Sequence, residues 1–469
     1  MRLRLEFKQQ LVLLTTLFVC SLPLVTTRIY ASDEVQYFAY LRSLWFDHDV
    51  SFENEYQYFY DSGVTHFDGF HETFLERQTE TGRRITFATI GSALLWSPFY
   101  GVADAIVHVR RWMGSTVDAD GYSLPYVAAV AYGSAIYGWL ALVLSMLIVR
   151  RVLATEIEAE SLVPLATACA IWIGTPLFFY MYIAPPMSHA CSAFVVAAFI
   201  LTWLRVRGRW SVPGMIALGA LTALMVMVRE QDGLLAIGPA IDWTIDLWER
   251  RGSERVAMLA TAAAGAVAFG ITYIPQLAAY DVINGYPGPS RIVAHKMTWS
   301  SPHFFGVILS PEHGLFFWTP LLLLSLTGLI WLAMRSANQR VGVCLLVMLV
   351  SQIYIAGAVE SWTVAGAFGQ RRFVGLSALF ITGLAVVLAR VTVPRALRVA
   401  AVAAVVVGVW WNLGLMAQFG AGLMDRQRLE LGRNAYQTFV TIPARVPELA
   451  YRYLFARRSF YQSAPPREP

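Results

Sequence analysis

The sequence predicts an all-α protein that crosses a membrane many times, and two observations lead to this fold class. First, 57% of the 469 residues are hydrophobic and 14% are charged, whereas an average soluble domain has roughly 25% charged residues. Second, apolar runs recur along most of the chain, and nearly all are long enough to cross about 30 Å of hydrocarbon as helices. An ordinary soluble fold is therefore excluded.

The cysteines and basic residues argue against two other classes of protein. The four cysteines lie in apolar runs without the paired spacing of a zinc site or a disulfide framework. Lys8 and Lys296 are the two lysines, and the arginines are spread over the loops. This distribution is typical of membrane topology and gives no indication of nucleic-acid binding.

The chain begins with the basic segment MRLRLEFK, and the apolar run 9–27 follows. Under the positive-inside rule, this first span leaves the cytoplasm. A cleaved signal peptide is the alternative, because the charged start, the apolar middle and Ala31 also resemble one. The many later apolar runs favour a retained anchor.

Residues 28–84 form an acidic first loop, with eleven acidic residues against five basic ones, so we expect it outside. The apolar residues of VQYFAYLRSLWF recur near helical spacing, which predicts an amphipathic helix on the membrane face. A helix that only covers the bundle is the alternative. In the next apolar run, 85–109, several interior residues favour an interfacial helix on the outer leaflet over a span: Gly91, Pro98, Gly101 and Asp104.

Keeping 85–109 outside places the arginine-rich loops in the cytoplasm and predicts eleven spans. These loops are 150–151, 205–209, 250–255, 335–340 and 390–398. The predicted spans are 9–27, 123–149, 161–183, 189–204, 213–228, 233–248, 256–280, 313–334, 341–358, 373–389 and 397–419. With the first outer loop, 28–122, they form one transmembrane domain, 1–419. An amphipathic tail, 420–469, follows outside, where its eight arginines would bind an anionic leaflet.

With this threading, most polar clusters face the outer compartment. They are SDE (32–34), GRRITF (82–87), PPMSHA (185–190), REQDG (229–233), GPSRIVAHKMTW (288–299), LSPEHG (309–314) and ESWTVAGAFGQRR (360–372). Ionisable residues at membrane depth are costly and usually line a site. REQDG separates two apolar halves of about 16 residues, each covering about 24 Å, so Arg229 and Asp232 are expected below the outer surface. A hairpin closed by an internal Arg–Asp pair is the alternative.

An outer cavity with a carboxylate at the membrane edge and several arginines suits group transfer from a lipid-linked phosphate donor. The carboxylate can accept the proton of an acceptor hydroxyl. Arginines can bind the donor phosphate in bidentate fashion and stabilise the charge that develops on it. Aromatic side chains suit stacking on sugar rings and isoprenoid chains, as at Tyr286, Trp299 and Trp362. No single spacing among these residues defines an enzyme.

The pair Asp33–Glu34 after the first span, within DEVQYFAYLRSLWFDHDVSFENEY, resembles the GT-C superfamily of membrane glycosyltransferases. This superfamily includes the dolichyl-phosphate-mannose protein mannosyltransferases and the lipid A aminoarabinose transferases. Further similar stretches are IGSALLWSPFY (90–100), PPMSHACSAF (185–194), LSPEHGLFFWTPLLLL (309–324) and AGAFGQRRF (365–373). The resemblance covers most of residues 1–390. It implies a GT-C type bundle of about eleven transmembrane helices, with interfacial helices in the first outer loop.

The resemblance also implies an activity and a location. The expected enzyme moves a hexosyl or pentosyl group, as mannosyltransferases do, from a polyprenyl-phosphate sugar to a hydroxyl or amine, usually with inversion. The acceptor would be a glycan, lipid or protein, although the short loop 281–312 lacks the soluble insert of the protein mannosyltransferases. The expected location is the bacterial cytoplasmic (inner) membrane, with the site facing the periplasm or outside.

Residue roles follow from the same resemblance. Asp33 would be the catalytic base, with Glu34 beside it to orient the acceptor. Arg371 or Arg372 would be the leading ligand of the donor phosphate. The further candidates for binding the donor phosphate or the substrate are Arg84, His189, Arg229, Asp232 and Lys296.

Other interpretations stay open at this point. Asp33 also suits the N-cap or first turn of an amphipathic helix, and His189 suits an interfacial position. A divalent metal is not excluded, but no two-histidine spacing supports one near Glu312 and His313. A transporter or flippase of lipid-linked sugars is the competing class, although the sequence shows no inverted repeat. A ligase or polymerase of lipid-linked glycans would share the chemistry.

Overall fold

The computed structural model describes residues 5–335, 337–364, 366–390 and 395–457. This part of the chain is helical, and its β-structure is limited to one isolated bridge between Gln78 and Arg84. The prediction of an all-α protein is therefore confirmed. Several predicted features lie partly outside the described residues: the basic N-terminus, the loops 335–340 and 390–398, the stretch 365–373 and the tail 420–469.

The helices of the first half begin close to where the apolar runs begin. They are α1 (Phe7–Ser21), α2 (Ser32–Arg42), α3 (Glu53–Asp61), α4 (Asp68–Phe70), α5 (Gly91–Trp112), α6 (Leu124–Val152), α7 (Val163–Ile173), α8 (Pro176–Tyr182), α9 (His189–Val206) and α10 (Val212–Val228). Short 3₁₀ or π segments extend three of these elements: Leu22–Leu24, Ser43–Asp47 and His71–Glu76.

The helices of the second half continue in the same way. They are α11 (Ile237–Glu249), α12 (Gly252–Asn284), α13 (Arg291–His295), α14 (Phe304–Leu309), α15 (Leu315–Trp318), α16 (Leu321–Arg335), α17 (Gln339–Ala358), α18 (Ser377–Arg390), α19 (Arg395–Gly420), α20 (Leu431–Tyr436) and α21 (Ile442–Phe455). The 3₁₀ segments Glu230–Ala236 and Arg371–Leu376 precede α11 and α18, and the π segment Gln437–Thr441 precedes α21.

Among the described residues, seven helices are long and apolar enough to cross a membrane, or eight if the bent pair α7–α8 is one span. Four predicted spans account for the difference from eleven. The span 161–183 is the pair α7–α8, bent by 70°, while 213–228 and 313–334 are the shorter apolar helices α10 and α16. The span 233–248 is reduced to the 13 residues of α11. Eleven spans stay a prediction.

Helix α5 is a continuous helix of 22 residues with Pro98 inside it. It is not among the seven candidate spans found in the described part of the chain. The proposal that it lies on the outer leaflet therefore stays a prediction.

The chain divides into two compact units, each made of several chain segments. Unit 1 consists of Met1–Leu24, Ala141–Phe179 and Thr298–Pro469, and unit 2 consists of Val25–Leu140 and Tyr180–Met297. Asp33, Glu34, Arg84, His189, Arg229, Asp232 and Lys296 belong to unit 2, and Arg371 and Arg372 belong to unit 1.

In unit 2 the first loop is a folded layer around Arg42. The guanidinium of Arg42 pairs with Asp47 and, at 2.9 Å, with the buried carboxylate of Glu55, and it lies 4.6 Å from the centre of the Tyr122 ring. Helix α2 is buried in this layer, with Phe38 fully inaccessible to solvent. Val35, Phe38 and Leu41 of the apolar pattern are buried, whereas Trp45 is 36% exposed. The helix on the membrane face and the helix that only covers the bundle both stay predictions.

In unit 1, helices α16 and α18 approach each other through glycine. A Cβ atom on Gly328 would lie 1.8 Å from the Gly383 carbonyl oxygen, so a larger residue at Gly328 would force the helices apart. The tail packs on α19, where Ile442 and Leu449 form a small cluster with Trp410 and Tyr453. The Tyr453 hydroxyl also donates to the Leu24 carbonyl oxygen at 2.8 Å, so the tail contacts the C-terminal end of the first span.

Candidate functional site

Asp33 and Glu34 are adjacent at the start of α2, but they differ in solvent exposure and in hydrogen bonding. Glu34 is 1% exposed, and its Oε2 accepts hydrogen bonds from the N–H groups of Tyr30 at 2.6 Å and Ala31 at 3.0 Å. These bonds satisfy main-chain donors that a helix start leaves unpaired. Asp33 is partly exposed in the first turn of the helix. Glu34 therefore caps the helix, and Asp33 is the more accessible carboxylate.

The buried position changes the acidity of Glu34. Burial raises the pKa of the Glu34 carboxyl to about 7; the two backbone N–H bonds oppose this rise, and the neighbouring charge of Asp33 adds to it. Near neutral pH, Glu34 is therefore partly protonated, which limits charge repulsion at the start of α2.

One face of α2 continues inward from Asp33. Asp33, Gln36 and Tyr40 follow the spacing of three and four residues that places side chains on one helix face. The buried Gln36 accepts a hydrogen bond at its Oε1 from the Phe87 N–H at 2.7 Å. The Phe87 ring lies 5.3 Å from the Nζ atom of Lys296, within cation–π range. A chain of contacts thus joins the exposed Lys296 to the helix of Asp33.

The segment before α5, which contacts α2 through Phe87, also bonds to α10 and α12. The Thr89 hydroxyl donates to the Val228 carbonyl oxygen at 3.1 Å, at the C-terminal end of α10. The Ile90 N–H donates to Oε1 of Gln276, on α12, at 3.0 Å. A Cβ atom on Gly91 would lie 2.4 Å from main-chain atoms at the end of α10, so glycine permits this close approach.

The break after α10 brings together three of the predicted site residues. The Arg229 guanidinium hydrogen-bonds Nδ1 of His189, and the Ser192 hydroxyl donates to Oδ2 of Asp232 at 2.6 Å. His189 and Ser192 lie one turn apart on α9, which matches the spacing of Arg229 and Asp232. These hydrogen bonds tie the break to α9, whereas the sequence alternative was a turn closed by its own Arg–Asp pair.

This cluster is shielded from solvent. Asp232 is 2% exposed, and burial raises the pKa of its carboxyl to about 6, against the opposing effects of Arg229 and of hydrogen bonds from Ser192 and Gln231. The His189 ring packs 4.3 Å from the Tyr180 ring. The cluster holds a guanidinium in a fixed position and joins two helices, so it suits both anion binding and structural support.

Arg84 is held within the first loop. Its Nη2 pairs with Glu53 at 2.6 Å, and its Nη1 donates to the Glu76 carbonyl oxygen at 3.2 Å. The Glu53 side chain is 62% exposed, whereas that of Arg84 is 12% exposed. A phosphate at Arg84 would therefore compete with the Glu53 carboxylate.

Arg371 and Arg372 begin a 3₁₀ segment in unit 1. Gly369 has a φ of +61°, and a Cβ atom there would lie 2.7 Å from Pro176, so the turn before the arginines requires glycine. Nη2 of Arg372 donates to the carbonyl oxygen of Ser361 at 3.1 Å and to its hydroxyl at 3.2 Å. The stretch before these arginines contacts the LSPEHG motif, because Nε2 of His313 bonds the Ala367 carbonyl at 2.9 Å.

Two residues that the sequence patterns did not single out take part in these contacts. Ser192 hydrogen-bonds Asp232, and its spacing from His189 was the signal that a helical projection would have revealed. Glu230 accepts a hydrogen bond from the Tyr280 hydroxyl, 50 residues away, which no local pattern indicates.

No group of three or more His, Cys, Asp or Glu side chains is placed to hold a metal ion within residues 5–335, 337–364, 366–390 and 395–457. Comparisons of the chain with models of known protein families and with curated proteins found no match. The described residues form a helical protein with several helices apolar and long enough to span a membrane. Two of its polar features are the carboxylate-bearing start of α2 and the cluster of α9 with the break after α10.

Proposed function

We propose that the chain is a membrane glycosyltransferase of the GT-C type. It transfers a sugar from a polyprenyl-phosphate donor to a hydroxyl or amine acceptor at the outer face of a bacterial cytoplasmic membrane. The observation that carries the proposal is the division between the two carboxylates, because Glu34 is used as a helix cap while Asp33 stays accessible. The motif resemblance of the sequence supports the same assignment.

In this reaction Asp33 is the general base. It takes the proton of the acceptor O–H or N–H as that atom bonds to the anomeric carbon. The bond between the anomeric carbon and the phosphate oxygen breaks, and its electron pair leaves with the phosphate. Attack opposite the leaving phosphate inverts the anomeric centre. Glu34 acts on Asp33 by fixing the start of α2, so we treat it as a positioning residue.

The leaving phosphate needs a cation to stabilise its charge. Lys296 is exposed and is connected through Phe87 to the helix of Asp33. The contacts of unit 2 therefore favour Lys296 as the cation that binds the donor phosphate. The resemblance favours Arg371 and Arg372, which lie in unit 1. Arg84 ranks lower because Glu53 already pairs with it.

The substitution Asp33→Asn tests the proposal. Purified protein in lipid nanodiscs is supplied with a panel of undecaprenyl-phosphate sugars, and cell-envelope lipids and glycans serve as acceptors. We expect transfer to fall by at least about 10²-fold, because a general base typically contributes that much, while donor binding stays. Asp61→Asn, which changes an exposed carboxylate at the end of α3 in the same unit, is the matched control. Full transfer activity in Asp33→Asn would end the catalytic assignment.

A transporter or flippase of lipid-linked sugars is the second candidate. The 70° bend between α7 and α8 favours it, because broken helices are common in transporters. Movement of a labelled lipid-linked sugar across vesicles without any glycosidic product would favour this class. Formation of a glycosidic product would favour the transferase.

A further inference from the structure

Glu230 is the exposed carboxylate of the break after α10, and the mechanism above does not use it. The Tyr280 hydroxyl, on α12, donates a hydrogen bond to it. Although solvent reaches this side chain, surrounding protein raises the pKa of the Glu230 carboxyl, and the bond from Tyr280 opposes the rise. A solvent-accessible carboxylate whose pKa is shifted by the surrounding protein is typical of the wall of a binding site.

Tyr40 lies on the face of α2 that carries Asp33 and Gln36, as its spacing from them shows. Its side chain is 0% exposed, and its hydroxyl has no hydrogen-bond partner among the described residues. Burial raises the pKa of Tyr40, and the charge of Glu230 adds to this rise. A buried hydroxyl without a partner is costly, which points to a polar atom that normally pairs with it.

Helix α12 supplies a second buried donor. Tyr273, Gln276 and Tyr280 share one face of this helix by their spacing. Oε1 of Gln276 accepts from the Ile90 N–H, whereas its Nε2, also buried, has no partner within the described part of the chain. Gln36 on α2 and Gln276 on α12 accept hydrogen bonds from Phe87 and Ile90, three residues apart, so the helix faces that carry Tyr40 and Tyr280 meet at the same segment.

An acidic acceptor together with buried hydroxyl and amide groups suits a ligand with several hydroxyl groups. A sugar hydroxyl both donates and accepts hydrogen bonds, so it can donate one to the Glu230 carboxylate and accept one from Tyr40 or Gln276. The rings of Tyr273 and Tyr280 can pack against the carbon face of a sugar. A phosphate would be repelled by the Glu230 carboxylate. We propose that Glu230, Tyr40 and Gln276 form the subsite that binds the hydroxyl groups of the donor sugar, and this inference rests on the proposed function.

The position of the subsite along α12 favours the donor sugar over the acceptor. Tyr280 lies about 6 Å and Tyr273 about 16 Å before the end of the helix at Asn284, at about 1.5 Å per residue. Tyr280 is the last residue of the predicted span 256–280, so under this prediction both residues lie at and below the level where α12 leaves the membrane. A lipid-anchored sugar is presented at this level, whereas an acceptor arrives from outside.

Binding measurements in nanodiscs test the subsite. The probes are undecaprenyl phosphate and its mannosyl, glucosyl, N-acetylglucosaminyl and aminoarabinosyl derivatives. We expect the wild-type protein to bind one glycosylated lipid at least about tenfold more tightly than the bare lipid phosphate. Glu230→Gln and Tyr40→Phe should lose this preference while binding the bare lipid unchanged. Glu72→Gln and Tyr58→Phe, both at exposed positions of the first loop, should keep it.

Tyr40→Phe also separates ligand binding from folding. The substitution removes a hydroxyl that has no partner among the described residues, so we expect no loss of thermal stability. An unchanged sugar preference in both Glu230→Gln and Tyr40→Phe would overturn the subsite and leave the proposed function standing. A wild-type protein with no sugar preference and no glycosidic product from any of these lipids would overturn the proposed function.

Discussion

Helices α2 and α21 are both short helices with apolar and polar faces, yet the fold uses them in opposite ways. Seven of the eleven residues of α2 are buried, including the polar Glu34 and Gln36. Two of the 14 residues of α21 are buried, while Tyr451 and Phe455 are 64% and 75% exposed. The helix with the proposed base is built into the protein, and the tail helix leaves apolar surface uncovered.

The faces of α21 explain the difference. Ile442 and Leu449 pack on α19, and a neighbouring stripe is an ion-pair network in which Glu448 pairs with Arg445 at 3.0 Å and with Arg452 at 3.6 Å. The remaining face is apolar and exposed, as in helices that lie at a membrane surface. An amphipathic pattern therefore predicts a helix with one polar and one apolar face. It does not show whether the apolar face contacts protein or lipid.

The largest expected effect is on the packed face of α21. Leu449→Ala should lower the free energy of unfolding by about 3 kcal/mol, because it empties a buried leucine site. Thermal unfolding in detergent measures this loss. Transfer activity at low temperature should stay near wild type, since Leu449 lies on the tail; a matching loss of activity would contradict the separation between the two helices.

A smaller loss of stability but a larger loss of activity is expected at α2. Glu34→Ala removes the acceptor of two backbone N–H groups, so the free energy of unfolding should fall by about 2 kcal/mol. Transfer should fall by at least about tenfold, because the start of the helix that carries Asp33 is loosened. If activity fell only in proportion to the folded fraction, the positioning role of Glu34 would be wrong.

The raised pKa of Glu34 gives α2 a pH dependence in the range just below neutral pH. A folded pKa of about 7 against an ordinary value of 4.5 means that the folded state binds the proton more tightly. This stabilisation is complete below pH 4.5 and is lost as the pH rises through 7. Between pH 5.5 and 6.5 the loss should be about 1 kcal/mol.

Burial also raises the pKa of Glu55 to about 7. The contribution of Glu34 to the pH dependence of stability is therefore the difference between wild type and a variant without its titration. Unfolding curves of wild type and Glu34→Gln, recorded across this pH range, isolate it. Parallel curves for the two proteins would show that Glu34 does not titrate as expected.

The smallest effect is expected on the exposed face of α21. Phe455→Ser should change the free energy of unfolding in detergent by less than about 0.5 kcal/mol, as surface substitutions usually do. Leu449→Ala in the same detergent is the comparison. A loss at Phe455 as large as that at Leu449 would mean that this face packs against protein.

The sequence predicted the long helices better than the interrupted ones. The seven candidate spans agree with seven predicted runs, because length and hydropathy decide them. The run 161–183 contains a 70° bend next to Gly174, which its apolar pattern does not indicate. The run 233–248 contains Asp242, which accepts from the Trp203 indole at 2.8 Å and pairs with Arg207. Such contacts depend on distant residues that a local apolar pattern does not contain.

The site shows the same limit. Residue chemistry alone selected His189, Arg229 and Asp232, but their grouping depends on α9 meeting the break after α10. The adjacency of Asp33 and Glu34 is visible in the sequence, whereas their different burial is not. Glu230 was missed because Tyr280, which donates a hydrogen bond to it, lies 50 residues away on α12. The assignment of Asp33 as the base stays a prediction.

The segment before α5 has a consequence for biosynthesis. Thr89 bonds a carbonyl 139 residues further along the chain, and Ile90 bonds a side chain 186 residues further along. The first loop therefore leaves the ribosome long before α10 and α12 exist to hold it. A nascent chain that stops before Gly252 carries Asp33 and α10 but lacks α12, so the packing of the segment before α5 is complete only after α12 has been synthesised.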